Sequence, residues 1–388
     1  MNKIYRTSPT DRKLLLTILA KLIAVDSSRK NESEITKICE KYLTTWGIKF
    51  QKFARQKGRD NLVWTLGDPK LPAVMLAAHS DVVPVGENWE SNPFKMVRKN
   101  ASLIGRGVVD NKAPLAGILL ATRILQKFSD KLKNRIIFAA VADEEKGNKF
   151  GLDFLLQKKV FPKISAAVIP DSCGQNREIE IAEKGVLQIQ ITAFGQQGHG
   201  SLPEKSTNAI LILKDFLRQI RKLKFTRKMK LLTPTTIAVT SFHAGAAANV
   251  IPGEAVATLD IRFPPVESKK TILQKLKKLA DSESKKWRVR KFKFEILADL
   301  PSSETSADSS LVHATVAAIQ KISHRSPKII GMPAFTFAGV LRSQKIPVVA
   351  FGPGKLEECH RANEKIQERE VYEFTEILVE LLRKIELK

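Results

Sequence analysis

The sequence predicts an α/β protein with an α+β unit inserted into it, and three patterns carry that expectation. Buried-strand runs at 73–78 (AVMLAA), 135–141 (RIIFAAV) and 166–169 (AAVI) alternate with helix-like segments over residues 1–184. From Gly185 the order becomes strand, helix, strand, strand, helix, strand through residue 298. From residue 299 the first pattern returns.

Taken in order, LLLTILAKLIAV (14–25) has helical apolar spacing and is interrupted by Lys21. It reads as an amphipathic helix on a sheet, because a membrane span needs roughly 20 apolar residues and no cleavage site follows to mark a signal peptide. APLAGILLATRILQKF (113–128) is the helix joining the first two strand runs. In the inserted stretch, strands at 186–194, 235–242, 254–263 and 292–297 frame helices at 208–223 and 269–280. This βαββαβ order is a ferredoxin-like unit. A Ser-rich turn after Pro301 leads to a helix at 310–322, a strand at 346–351 and a terminal helix at 369–385. The expected domains are thus 1–184 with 299–388, and 185–298.

A chain of 388 residues with 43% hydrophobic content supplies ample core. Its three cysteines, Cys39, Cys173 and Cys359, are widely spaced and form no CxxC pair, so reduced thiols and cytoplasmic residence are expected. Cys359 reads as a buried filler rather than a nucleophile. The net charge of +25 is uneven: residues 185–298 hold 21 Lys+Arg against 8 Asp+Glu. Solvated faces of amphipathic helices explain this, so a nucleic-acid partner is not expected, although an anionic partner is the alternative.

Several apolar runs end in metal-type ligands. His79 and Asp81 close the first, Glu144 and Glu145 follow the second, Asp171 ends the third, and His360 follows the last after a turn. Strand ends are where an open α/β layer gathers its functional groups, so these residues converge on one crevice, with Asp110 of GRGVVDNK completing the set. In HSD, alternate residues face the same side, so Asp81 is expected to accept the second ring N–H of His79. Asp110 alone would read as a helix cap. The adjacent glutamates point apart, which lets one bind metal while the other works on water, and with Asp143 they would repel without cations nearby. The pattern implies a two-metal hydrolase.

The motifs HSDVVPV, WESNPF, GRGVVDNK, DEE, PDSCG, AEKGV, GQQGHGSLP, NVIPGEA, LDIRFP and FGPG followed by HRANE resemble the co-catalytic zinc metallopeptidase family of acetylornithine deacetylase, succinyl-diaminopimelate desuccinylase, aminoacylase, glutamate carboxypeptidase and carnosinase-type dipeptidases. The likeness covers nearly the whole chain. It implies a zinc-peptidase-like mixed sheet flanked by helices, with the inserted unit as lid and dimerisation domain. It implies one metal on His79 and Asp171, a second on Glu145 and His360, and Asp110 bridging both, with a cis peptide between Asp110 and Asn111. The donors suit zinc, with cobalt or manganese as alternatives. Glu144 is implied as general base towards a metal-bridging hydroxide, with Asp81 behind His79. His199 is implied as oxyanion donor reaching the partner subunit of a homodimer, and Arg262 and Asn249 as binders of the substrate's carboxylate or carbonyl. Arg262 could instead form a structural pair with Asp260.

One stretch departs from the family. Relatives carry a polar Thr/Ser-Asp-Ala/Gly-Arg segment before the last strand where this chain has FTFAGVL (335–341), so Phe337 and Gly339 are expected to make the pocket more apolar. The expected activity is hydrolysis of the amide bond of an N-acyl amino acid or short peptide bearing a free carboxylate. Dipeptidase and carboxypeptidase activities are alternatives to deacylase within the family, and a non-catalytic binding protein using the basic unit is a distant one.

Overall fold

Burial on both faces sets the first layer. β1 (Phe50–Ala54), β2 (Asp60–Leu66), β3 (Ala73–His79), β4 (Arg135–Val141), β5 (Ile164–Cys173) and β6 (Glu178–Glu183) precede Gly185. Then come β7 (Gly185–Phe194), β8 (Thr236–Ala244), β9 (Glu254–Phe263), β10 (Lys293–Leu300) and, last, β11 (Val348–Gly352). The computed structural model describes residues 4–225 and 227–387, apart from the side chains of residues 172 and 173. Two units emerge: Met1–Ile181, Thr305–Ile330 and Thr336–Lys388 form the first, and Ala182–Glu304 with Gly331–Phe335 the second.

In the first unit the strand order is β1-β2-β4-β3-β5-β11-β6. β4, β3, β5 and β11 run parallel, whereas β1, β2 and β6 join antiparallel. This is a mixed sheet. All of β3 is buried, as strands covered on both faces must be. Side chains alternate across a strand, so Ala73, Met75 and Ala77 share one face. They join a core with Leu152 and Leu155 of α4 (Leu152–Gln157) and with Phe337 and Leu341 of α8 (Phe337–Ser343). Against the other face pack α1 (Pro9–Ile23), α2 (Glu32–Thr45), α3 (Lys112–Gln126), α7 (Ser310–Ser323) and α9 (Glu368–Lys384), in contact with one another or with the sheet. Gly117 lets α3 and α9 approach closely, since a Cβ there would meet the Phe374 ring at 2.9 Å.

Helix ends follow local chemistry. Ser8 and Asp11 form a reciprocal capping box ahead of α1. Asn208 and Ser268 cap α5 (Ala209–Ile220) and α6 (Lys269–Trp287) by accepting the Ile210 and Thr271 amides. In the second unit the sheet order is β8-β9-β7-β10, every pair antiparallel. β9 lies between β7 and β8, the split arrangement of a ferredoxin-like unit. The inward row Ala255, Ala257, Leu259 and Ile261 packs with Ile212 and Phe216 of α5 and Leu276 of α6. Among the described residues no helix is long and apolar enough to cross a membrane.

Two sequence-based expectations change. Cys359 is half-buried, not a core filler, and the side chain of Cys173 lies outside the described residues; Cys39 is a buried free thiol. Phe337 is fully buried in the core between sheet and helices rather than facing a pocket. The α8 turn directs it inward because Thr336 caps that helix at the Ala338 amide.

Candidate active site

The C-terminal ends of the parallel strands supply the site. His79 is the last residue of β3, Glu144 and Glu145 follow β4, and Asp171 lies near the end of β5. Asp110 precedes α3, whose N-cap residue is Asn111, so its carboxylate is free of capping duty. The two oxygens of Asp110 divide their contacts. Oδ1 lies 2.7 Å from His79 Nε2, and Oδ2 lies 3.1 Å from His360 Nε2. His360 Nε2 is also 3.2 Å from Glu145 Oε1, and His79 Nε2 is 3.6 Å from Asp171 Oδ1. The peptide between Asp110 and Asn111 is cis. Asn111 Nδ2 donates to Pro170 O at 2.8 Å and to Asp171 Oδ1 at 3.2 Å, linking this turn to β5.

Ligand-type atoms of His79, Asp110 and Glu145 all lie within 4.8 Å of one another, as do those of His79, Glu144 and Asp171. Oxygen and imidazole donors this close, with no thiolate among them, are the donor chemistry of a divalent-cation site.

Asp81 acts differently from the expectation. His79 Nδ1 lies 3.0 Å from the main-chain oxygen of Asp81, while the Asp81 carboxylate is 3.5 Å away. That carboxylate accepts the main-chain amides of Glu144 at 3.0 Å and Glu145 at 3.1 Å, so it anchors the loop carrying both glutamates. Asp143 also departs from the reading of three repelling acids. It is buried and left-handed at φ 65°, and it accepts from Arg59 Nη1 at 2.5 Å and from the Phe150 amide at 3.1 Å. The cation it needs is a side chain of this chain. Arg59 also pairs with Glu32, whose carboxyl burial pushes up to about 7.

Sequence reasoning missed a second buried pair. Glu364 accepts the amides of Gly107 at 2.9 Å, Val109 at 2.7 Å and Asp110 at 3.2 Å, and pairs with Arg106 at 2.9 Å. Arg106 in turn donates to Val85 O at 3.1 Å and Arg361 O at 3.2 Å, and stacks over Trp89. The signal was one charged residue in each of two quoted motifs, GRG and HRANE, with no chemistry assigned to it.

Protons concentrate in this cluster. Burial pushes the Glu144 carboxyl well above the usual range, and the Asp171 charge adds to the rise. Burial also lifts Asp171 to about 6 against the pull of His79. His360 is raised to about 10, first by Asp110 and then by Glu145. For His79 burial opposes the proton, yet Asp110, Asp171 and Asp81 hold it well above the usual range.

The remaining candidates belong to the second unit. His199 pairs with Val250 in a two-residue ladder, and the next amide, of Gly200, donates to Asn249 O at 2.8 Å, so His199 and Asn249 are neighbours. His199 Nδ1 accepts the Ser201 amide at 3.2 Å, which leaves the proton of the neutral ring on Nε2. Arg262 donates through Nε and Nη2 to Asp260 at 2.7 and 3.2 Å, the structural pair that was its alternative role.

The sequence model of peptidase family M20/M25/M40 matches residues 75–384. The chain is 28% identical over 384 residues to succinyl-diaminopimelate desuccinylase of Pelagibacter ubique, covering 95% of this chain and 98% of that protein. Among solved structures, aminopeptidase PepT of Bacillus cereus shares the fold at a TM-score of 0.80 and 23% identity, covering 97% of this chain and 99% of that one. A dinuclear metal-binding peptidase of Bacillus subtilis does so at a TM-score of 0.77 and 17% identity, covering 97% and 98%.

The raised histidine pKa values set the direction of one coupling. Imidazoles that hold protons in the metal-free cluster must release them to ligate a cation, so apparent affinity for zinc should rise with pH between 6 and 8, with proton release on binding. Calorimetry in buffers of different ionisation heat measures this. A pH-independent affinity with no proton release would contradict it.

Proposed function

This chain belongs to peptidase family M20/M25/M40, and from that premise we propose that it hydrolyses the amide bond of an N-acyl amino acid or short peptide with a free carboxylate. The observation that carries the reading is Glu144, a half-buried carboxyl whose pKa desolvation raises, among the ligand-type atoms of His79 and Asp171. His79 with Asp171, and Glu145 with His360, would hold two divalent cations with Asp110 between them, zinc by preference and cobalt or manganese as alternatives. Bound there, the cations would polarise the carbonyl and acidify water.

Glu144 takes a proton from the attacking water and delivers it to the leaving amine, and the second water proton follows, so one amide and one water become a carboxylate and a protonated amine. A carboxyl poised above its usual range can do both near neutral pH. Asp81 holds the Glu144 and Glu145 amides, which fixes the base relative to the metal ligands. His199 offers its Nε2–H to the developing oxyanion across a dimer. Arg262, oriented by Asp260, and Asn249, tied to the His199 strand, recognise the substrate's carboxylate and carbonyl. The second unit is the lid. A reducing, cytoplasmic setting fits the buried free thiol of Cys39.

The homodimer reading draws support from β8. It is an edge strand of the second unit's sheet, and Val239 and Phe242 on it are 49% and 41% exposed. A cavity of about 660 Å³ beside it is lined by Ile210, Leu217, Phe225 and Ile237. Unpaired strand edges with apolar side chains are natural pairing surfaces.

Two outcomes test these readings. Amine release from a panel of N-acyl amino acids and dipeptides should be detectable with the zinc-loaded protein and fall by about 10²–10⁴ in Glu144→Gln. The substrate turned over also separates deacylase from dipeptidase and carboxypeptidase. Equal turnover in Glu144→Gln would remove Glu144 from the chemistry. Sedimentation should show a dimer that Val239→Asp with Phe242→Asp converts to monomer; a monomeric parent protein would end the dimer reading.

A further inference from the structure

Away from the metal-type cluster, the first unit carries two basic cavities of about 650 and 630 Å³ that share Arg177 and Arg325 in their walls. The first adds Arg6, Arg12 and Arg369, and the second adds Lys328 and Lys355. Most arginines of the first unit are engaged. Arg59, Arg98 and Arg106 each meet a carboxylate, and Arg6 donates to Glu376 at 2.8 Å. By contrast, among the described residues no acceptor meets the guanidinium of Arg177, Arg325 or Arg369, although Arg177 is half-buried.

The second cavity sets Glu178 and Glu357 against Arg177, Arg325, Lys328 and Lys355, so it stays basic, and most of the acid in the first is already taken. Glu376 is taken by Arg6 and by Thr7, whose amide donates at 2.8 Å, and Glu368 is taken by Arg98 and the Tyr372 hydroxyl. Glu373 is the remaining acid of the first cavity, and both Arg369 and Arg177 act on it, so these two guanidiniums face a common space. Unpaired guanidiniums there are donors in search of a multivalent, oxygen-rich anion.

We propose that the joined cavities bind an oligophosphate, either a free phosphate chain or the triphosphate end of a nucleotide, with Arg177 and Arg325 at the centre. One phosphate would fill one cavity; a chain of phosphates uses the shared arginines and both sides. The floor of the second cavity links the site to the metal-type cluster. Gly174 bridges to Lys355, and Gln175 N donates to Gly354 O at 2.8 Å. Asp171 lies just before this bridge and His360 just after it in sequence, so an anion seated here rests on the segment that follows Asp171 and the one that leads to His360.

Titration of the full-length, metal-loaded protein with the magnesium complex of tripolyphosphate tests the site. Saturable binding at one site per chain is expected, with orthophosphate at least roughly tenfold weaker. Arg177→Gln with Arg325→Gln should weaken tripolyphosphate binding by about tenfold or more, a loss of roughly 1.4 kcal/mol. Arg325→Gln with Arg369→Gln, at exposed positions that leave folding intact, should do likewise. Lys277→Gln with Lys278→Gln removes equal charge from the second unit and should bind within about twofold of the parent protein. A nucleoside triphosphate that binds as well identifies the triphosphate end as sufficient, and one that does not restricts the site to free chains. Equal loss in the lysine variant, unsaturable binding, or orthophosphate binding equally well would overturn the proposal.

Discussion

The candidate site depends first on one buried carboxylate. Glu364 gathers the amides of Gly107, Val109 and Asp110 and pairs with Arg106, which itself holds carbonyls at Val85 and Arg361. Three loops with no regular hydrogen-bond ladder of their own are thereby tied to one ion pair. Amide donors and a guanidinium satisfy a buried acid in the way burial demands. Asp110 inherits its place from this arrangement, with one oxygen towards His79 and the other towards His360.

The sheet supplies the rest. Parallel strands end at one edge, so β3, β4 and β5 deliver His79, the two glutamates and Asp171 to the same side from distant parts of the sequence. The loop after β4 is then pinned twice, by Asp81 on the Glu144 and Glu145 amides and by Arg59 on Asp143. Packing so many acids together is unfavourable unless protons or cations intervene, and the raised pKa values of Glu144, Asp171, His79 and His360 are the mark of that pressure. Divalent cations would relieve the same repulsion.

Strong periodicity made much of this legible in advance. Apolar runs fully buried in a parallel layer, such as β3, and amphipathic helices such as α5 carry their structure in local pattern. Ligand-type residues at strand ends are visible for the same reason. What sequence did not disclose depends on which atom of a residue is used. HSD suggests a side-chain partner for His79, but the main-chain oxygen of Asp81 stands closer and its carboxylate serves the next loop. Asp143 looked like a third repelling acid because Arg59, its partner, is 84 residues away. Phe337 looked like a pocket residue because its position in the motif was read without the helix that turns it inward. Arg106 and Glu364 were passed over because their work is holding backbone, which leaves no periodic trace.

The most direct measurement is zinc affinity in Glu364→Ala compared with the parent protein, with circular dichroism to show that the fold is retained. If Glu364 sets the position of Asp110, affinity should fall by roughly 10–100-fold, the range seen when a group orienting metal ligands is lost. Unchanged affinity in a folded variant would mean that Asp110 is placed by its neighbours alone, and that the buried pair is not what the site depends on.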